Sequence, residues 1–311
     1  MRTISLGGSF LDAPVMSLGM WRAGDIPLAR IRAMTEAALD CGVNFFDHAD
    51  IYGKDHRCER RWAEAMQWTP SQRQDLIIQT KAGIRQDAGW LYDFSAKHLM
   101  STVEESLKSL RTDYIDILLL HRPDALMEPE EVAQVFDQLW NDGKVQHFGV
   151  SNFTASQIEL LTRYVNRPIV ANQVQLSLTH CPIIAQGLAA NMSAVDGSVE
   201  RAGGLVEYCI LNNITLQAWS PVQAGFLTGT FLADRDKYGP LNDVIDRLAG
   251  EYGVEPVAIA TAWIWRHPAN IQVVLGSSKP ERIRAAAAGS DIRLTREQWY
   301  ELFIAAGHEV P

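Results

Sequence analysis

Residues 44–53 read NFFDHADIYG, and the apolar start of this stretch gives way abruptly to Asp47. An apolar run bounded by glycine and polar residues predicts a buried β-strand, with Asp47 at its end and Tyr52 in the loop that follows. Two later apolar runs end in the same manner, one at Lys81 and one at His121. Four ionisable side chains therefore follow three predicted strands.

Strand and helix signals alternate along the whole chain of 311 residues. After a hairpin-like opening, apolar runs predict eight strands, near residues 15–19, 43–47, 76–81, 114–121, 146–150, 169–173, 214–220 and 272–276. Segments with apolar residues at helical spacing separate them, and a Ser/Gly-rich piece at 191–204 interrupts one helical region. Eight such units predict an α/β protein, a (β/α)8 TIM barrel that forms a single domain over residues 1–311.

The rival architecture for this alternation is an open, doubly wound sheet. Such a sheet is expected to carry a G-x-G-x-x-G turn after its first strand when it binds a dinucleotide. The sequence has no such turn, so the closed barrel is the favoured prediction.

Composition and charge narrow the classes of function. The chain is 47% apolar and 21% charged, and its net charge of −9 argues against nucleic acid as a partner. It has neither a signal peptide nor an apolar run long enough to cross a membrane, which predicts a cytoplasmic protein. Its four cysteines lack metal-site spacing, so we expect no metal and buried, reduced thiols.

The carboxyl ends of the strands in such a barrel meet at one rim, where the chemistry is found. The fifth to eighth predicted strands also end in polar or unusual residues, namely Ser151 and Asn152, Asn172 and Gln173, Trp219 and Ser220, and Gly276, Ser277 and Ser278. One polar strand end is common in loops, but a whole rim of them predicts a functional site.

The four ionisable residues suit acid–base work on a carbonyl group. A tyrosine has a pKa of about 10, and a neighbouring ammonium favours the phenolate and lowers that pKa. A carboxylate keeps the lysine charged, and a histidine nitrogen fixes a carbonyl oxygen. Tyr52, tuned by Lys81 and Asp47, is therefore predicted to protonate an oxygen that His121 holds, as hydride reaches the carbon. None of the four supplies hydride, so a cofactor must.

The nicotinamide end of a dinucleotide matches one part of the rim. Ser151, Asn152 and Gln173 offer hydrogen-bond donors and acceptors for a carboxamide, and Trp219 offers a flat face for a ring.

The phosphate end matches another part. Ser277, Ser278, Lys279 and Arg282 surround the start of the last barrel helix, where free N–H groups and the helix dipole favour anions. The two basic residues predict an additional phosphate, and so NADPH with NADH as the weaker cofactor. The alternative is that both belong to a solvated helix face.

Seven motifs resemble those of the aldo-keto reductase family and follow in the same order. They are GVNFFDHADIYG, the strand ending in Lys81, IDILLLHRPD, GKVQHFGVSNF, NQVQ, AWSP and GSSKPERI. Together they span residues 42–283, and HADIYG with HRPD is most similar to a bacterial branch of predicted oxidoreductases. The resemblance implies a TIM barrel and NADPH-dependent reduction of aldehydes or ketones.

The resemblance also implies residue roles. Tyr52 would be the general acid, with Lys81 and Asp47 tuning it and His121 orienting the carbonyl. Trp219, where many members have tyrosine, would stack on the nicotinamide ring, and Ser220 and Leu227 would contact the pyrophosphate. The adenosine phosphate end would be held by Gly276, Ser277, Ser278, Lys279 and Arg282, although some members have lysine in place of Gly276.

The substrate is expected to be a small carbonyl compound, and the protein a monomer or small homo-oligomer. Candidate walls of the substrate pocket are Trp21, His48 and Tyr92. Two other functions stay open at this point. One is a lyase that forms a Schiff base on Lys81, and the other is an NADPH-binding sensor with little turnover.

Overall fold

The computed structural model describes residues 1–9, 11–87, 90–190, 203–225 and 228–310. Eight parallel strands close into a barrel, which confirms the predicted fold. In chain order these are β3 (Met16–Gly19), β4 (Phe45–Asp47), β5 (Ile77–Ala82), β8 (Ile115–Leu120), β9 (Val145–Ser151), β10 (Ile169–Gln175), β11 (Thr215–Trp219) and β12 (Gln272–Leu275). Strand β12 pairs with β3 and β9 with β10, so the sheet has no free edge.

Helices surround the barrel and share an apolar core with its outer face. They are α1 (Leu28–Asp40), α2 (Arg57–Met66), α3 (Pro70–Gln74), α4 (Ala96–Leu110), α5 (Pro129–Asn141), α6 (Ala155–Thr162), α7 (Pro182–Leu188), α8 (Leu205–Leu211), α9 (Arg235–Tyr252), α10 (Pro256–Trp265), α11 (Pro280–Ala288) and α12 (Arg296–Ala305). Local signals set several of the helix starts. Ser95 and Thr154 accept hydrogen bonds from the third N–H of α4 and of α6. None of the helices in the described ranges is long and apolar enough to cross a membrane.

The predicted opening hairpin closes the amino-terminal end of the barrel. Strands β1 (Thr3–Ser5) and β2 (Asp12–Pro14) pair antiparallel, and a tight turn between them packs on β10. Gly7 has a φ of +56° there, and a Cβ at this position would lie 2.3 Å from Val170. Only glycine fits both constraints, so this turn seals the barrel from below.

The inside of the barrel changes from apolar to polar along the strands. Side chains two residues apart on a strand face the same side, so each apolar residue of the lower layer has a polar one above it. The pairs are Phe45 with Asp47, Ile77 with Gln79, Leu119 with His121, and Ala171 with Gln173. The polar layer therefore lies at the carboxyl ends, above an apolar floor.

A short hairpin and a short helix were not predicted. Strands β6 (Ile84–Arg85) and β7 (Leu91–Tyr92) form a short antiparallel hairpin between β5 and α4, and α3 begins at a Thr69 capping box. Most of the segment 191–204 lies outside the described residues. The four cysteines are free thiols, and Cys41 is partly exposed whereas the other three are buried.

A buried ion pair joins α3 to β8 near the closed end of the barrel. Arg73 Nη2 lies 2.7 Å from Asp116 Oδ2, and both side chains are 8% exposed. Arg73 also donates to the carbonyl oxygens of Leu76 and Tyr114, while Asp116 accepts the N–H of Ile78. Each charge is therefore compensated, although water is excluded.

We expect Asp116→Ala to lower the free energy of unfolding by about 3–5 kcal/mol, because it leaves the guanidinium of Arg73 buried without a counter-charge. Urea unfolding followed by circular dichroism measures this. Asp40→Ala is the matched control, since it removes the exposed partner of Arg284 and should cost less than about 1 kcal/mol. Similar losses in the two variants would contradict the role given to Asp116.

Candidate active site

A cleft of about 1970 Å³ opens at the carboxyl ends of the barrel strands. Pockets for one small ligand measure about 300–1,000 Å³, so this cleft has room for a dinucleotide and a second molecule. The predicted site residues that line it are Asp47, Tyr52, His121, Ser151, Asn152, Gln173, Trp219, Ser220, Gly276, Ser277, Ser278, Lys279 and Arg282.

Lys81 lies fully buried beneath the cleft and connects two of these residues. Its Nζ is 2.8 Å from each carboxylate oxygen of Asp47 and 3.2 Å from the hydroxyl oxygen of Tyr52. It also donates to the carbonyl oxygen of His48 at 2.7 Å. The ammonium thus links a buried carboxylate to a phenol that faces the cleft.

These contacts decide the charge of the two groups. Burial on its own would lower the pKa of Lys81, but the charge of Asp47 and the hydrogen bonds raise it above its usual value. Burial raises the pKa of Tyr52, and the opposing effect of Lys81 is smaller. The expectation that Lys81 brings this pKa below its usual value is therefore wrong for this structure. At neutral pH Lys81 is a cation and Tyr52 keeps its proton.

His121 faces the same part of the cleft as Tyr52. The two ring centroids are 5.9 Å apart, and the rings meet edge-on at 80°. Burial lowers the pKa of His121 well below its usual value, and the positive charges of Lys81 and Arg122 act in the same direction. The imidazole is therefore neutral, and among the described residues its buried Nδ1 has no hydrogen-bond partner.

Of the three residues predicted to form walls of the substrate pocket, two line the cleft and one does not. Trp21 and Tyr92 line the cleft and are 41% and 44% exposed, so both are open to a ligand. His48 is fully buried away from the cleft, with its ring centroid 4.9 Å from that of Trp62. It is thus a core residue in this structure, and burial, aided by Lys81, lowers its pKa to about 3. Leu227 lies outside the described residues.

A model described as the Aldo/keto reductase family matches residues 15–304. This chain belongs to the aldo-keto reductase family. It is 35% identical over 304 residues to the uncharacterised oxidoreductase YcsN of Bacillus subtilis, covering 94% of each chain. It is also 35% identical over 321 residues to a 6-dehydroglucose reductase of Agrobacterium fabrum, covering 100% of each. The family prediction, with its bacterial oxidoreductase branch, is confirmed.

The solved structures agree with the fold of this aldo-keto reductase. The glycerol dehydrogenase of Gluconobacter oxydans superposes with a TM-score of 0.79 at 23% identity, covering 98% of this chain and 95% of that one. A thermostable aldo-keto reductase in complex with the inhibitor epalrestat gives a TM-score of 0.76 at 25% identity, over 98% and 100% of the two chains.

Members of this family generally use NAD(P)H, and one part of the cleft fits a nicotinamide. The indole N–H of Trp219 donates to Asn152 Oδ1 at 3.1 Å, and Asn152 Nδ2 donates to Ser151 Oγ at 2.9 Å. Asn152 thereby holds the indole ring in place. Gln173 Oε1 accepts no hydrogen bond from the described residues, so it is available to a carboxamide N–H.

The start of α11 fits an anionic group. Lys279 and Arg282 are exposed there, and neither forms an ion pair with a residue that the structure describes. Arg284 on the same helix differs, since it bonds Asp40 at 3.0 Å. Two unpaired cations beside a helix amino terminus are the donor set that a phosphate requires.

Gly276 directly follows the last barrel strand and lies against the side chain of Trp21. A Cβ at this position would lie 3.2 Å from Trp21 Nε1, so a larger residue would have to move the indole ring. The small size of Gly276 thus leaves room for Trp21, which lines the cleft.

Sequence reasoning missed Gln79 and Gln217, which lie below the cleft, and the contact of Gln173 with Asp47. Gln79 Nε2 donates to Asp47 Oδ1 at 2.6 Å, and Gln173 Nε2 donates to the same oxygen at 3.0 Å. Gln217 and Gln79 exchange two hydrogen bonds of 3.0 Å, which orients the Gln79 amide toward the carboxylate. The spacing along β5 could have identified Gln79, because it stands two residues before Lys81 and therefore faces the same side of the strand.

Arg122 was missed as well. It lines the cleft immediately after His121, inside the HRPD motif quoted above. His121 was selected because residues at the carboxyl ends of the strands meet at one rim, and the same reasoning applies to Arg122.

We expect Lys81→Met to lower the free energy of unfolding by about 3–5 kcal/mol, because Asp47 then stays buried without a cation. The double variant Lys81→Met/Asp47→Asn should recover more than half of this loss, since the uncompensated charge is gone. Chemical denaturation of the single and double variants measures the coupling between the two residues. Losses that simply add in the double variant would contradict the ion pair as the cause.

Proposed function

We propose that this chain is an NADPH-dependent carbonyl reductase in which Tyr52 is the general acid. The observation that carries the proposal is the 3.2 Å contact between Lys81 Nζ and the Tyr52 hydroxyl, in a cleft that His121 also lines. The phenol of Tyr52 and the imidazole of His121 are both open to the oxygen of an aldehyde or ketone in the cleft. The ammonium of Lys81 is buried behind the phenol.

Each of the four residues has one task in this mechanism. The neutral imidazole of His121 hydrogen-bonds the carbonyl oxygen and fixes its position. Tyr52 transfers its proton to that oxygen as negative charge develops on it. Lys81, kept cationic by Asp47, stabilises the phenolate that Tyr52 becomes. The bound cofactor supplies the hydride.

We assign the cofactor contacts from the donors and acceptors in the cleft. Gln173 and Ser151 would bind the carboxamide, Trp219 would stack on the nicotinamide ring, and Asn152 would position that indole. Ser220 would contact the pyrophosphate. The adenosine phosphate end would be held by Gly276, Ser277, Ser278, Lys279 and Arg282.

A Schiff-base mechanism on Lys81 is disfavoured by its surroundings. A nucleophilic amine must lose its proton, whereas Asp47 raises the pKa of this lysine. Its Nζ is fully buried and already bonds four oxygen atoms, which leaves no approach for a carbonyl carbon.

The reductase assignment predicts that Tyr52→Phe lowers kcat/KM for carbonyl reduction by at least about 100-fold, the usual contribution of a general acid. NADPH affinity should stay within about twofold, because the phenol acts on the substrate oxygen. Steady-state assays and a titration of tryptophan fluorescence measure the two quantities. Turnover comparable to that of the unmodified protein would refute the role of Tyr52. Tight NADPH binding without turnover in the unmodified protein would instead favour the sensor.

The cofactor assignment predicts that Arg282→Ala weakens NADPH about tenfold or more and leaves NADH nearly unchanged, because the lost charge faces only the additional phosphate. Arg284→Ala is the matched control on the same helix, where the arginine bonds Asp40. Both affinities should stay unchanged in that variant. Equal weakening of NADPH and NADH by Arg282→Ala would overturn the phosphate assignment.

A further inference from the structure

Four described arginines line the cleft, and two of them, Arg122 and Arg282, have side chains that bond no described residue. Arg22 donates to the carbonyl oxygen of Gly276, and its guanidinium lies over the ring of Trp21. Arg235 forms ion pairs with two aspartates of α9. Arg282 stands at the start of α11, where a phosphate is proposed.

Arg122 is half-buried, yet it makes no hydrogen bond or ion pair with any residue in the described ranges. Its nearest aromatic contact is weak, with the guanidinium carbon 6.0 Å from the ring centroid of Trp219. A charge partly removed from water without a partner costs free energy. In a chain with 37 acidic residues, an arginine left unpaired in this way is available to a ligand.

The position of Arg122 in the cleft indicates which ligand it can bind. It directly follows His121, which is proposed to hold the reacting oxygen, and both line the cleft. Its guanidinium carbon lies 6.0 Å from the ring centroid of Trp219, the proposed nicotinamide platform. A substrate whose oxygen is held by His121 and whose carbon faces a ring on Trp219 would therefore have Arg122 among the cleft residues around it.

We propose that Arg122 is a specificity-determining residue that binds acceptor oxygens carried by the substrate next to its carbonyl group. A guanidinium presents several N–H donors in a fork that matches a carboxylate or a pair of hydroxyl oxygens, and an alkyl group offers it nothing. The substrate class is therefore 2-hydroxy aldehydes and ketones, or 2-oxo acids, rather than apolar aldehydes. This inference rests on the proposed reductase function.

Two matched pairs of substrates distinguish binding of hydroxyl groups from binding of a carboxylate. Glyceraldehyde and propanal differ in hydroxyl groups, and pyruvate and butanone differ in a carboxylate at nearly equal size. We expect the unmodified enzyme to prefer the oxygenated member of at least one pair by about 10-fold or more in kcat/KM. Arg122→Leu should lower kcat/KM for that member by about 10- to 100-fold and leave the apolar member within about threefold.

Two further variants control this experiment. Arg122→Lys keeps the charge but loses the fork, so its loss should be intermediate, and it serves if the leucine variant does not fold. Arg163→Leu removes an exposed arginine that bonds Glu159, and it should change neither pair. Equal losses for both members of each pair in the Arg122 variants would overturn the proposal, as would weaker NADPH binding, which would assign Arg122 to the cofactor.

A binding measurement distinguishes failure of this inference from failure of the reductase proposal. Quenching of tryptophan fluorescence reports binding of pyruvate or glyceraldehyde to the NADP⁺-loaded protein without turnover. Binding that Arg122→Leu weakens about 10-fold or more, in a protein without turnover, would support Arg122 and overturn the reductase. Turnover that is indifferent to Arg122→Leu would overturn Arg122 and leave the reductase standing.

Discussion

The ion pair between Asp47 and Lys81 is the interaction on which the candidate site depends. Both side chains are almost completely buried, and two charges in that position destabilise a protein unless each has several partners. Here Asp47 receives hydrogen bonds from Gln79 and Gln173 as well as from the ammonium. The barrel interior thus keeps a cation beneath Tyr52 that water does not screen. Its attraction to a phenolate is stronger there than at a surface, although the cost of burying the phenolate exceeds that attraction.

Much of this arrangement was predictable, because it follows from strand geometry. Parallel strands bring their carboxyl ends to one rim, so the polar residues that follow apolar runs had to meet there. Asp47, Lys81 and His121 were identified in this way from positions far apart in the chain. The same rule placed Gln173 and Trp219, and the structure has all of them at or just below the cleft.

The features of the site that were not predicted depend on the direction in which side chains point and on how far they are buried. The order of residues along the chain contains neither. His48 follows Asp47 in the chain, but adjacent strand residues face opposite sides, and it therefore enters the core against Trp62. The pKa of Tyr52 was misjudged because the charge of Lys81 was considered without the cost of burying a phenolate. The strands β6 and β7 are too short to leave a periodic signal.

Trp219 and Asn152 show how one side chain orients its neighbour. A tyrosine in this position has no indole N–H, whereas Trp219 uses its own to bond Asn152 Oδ1. That bond uses one of the two acceptor positions of the Asn152 oxygen and fixes the orientation of the amide against the ring. Gln173 keeps its Oε1 clear while its Nε2 is bound to Asp47. Gln173 thus joins the proposed carboxamide site to Asp47, and Asp47 contacts Lys81, which in turn contacts Tyr52. A substitution of Gln173 would therefore remove a hydrogen bond from the same carboxylate that holds the lysine beneath the proposed acid.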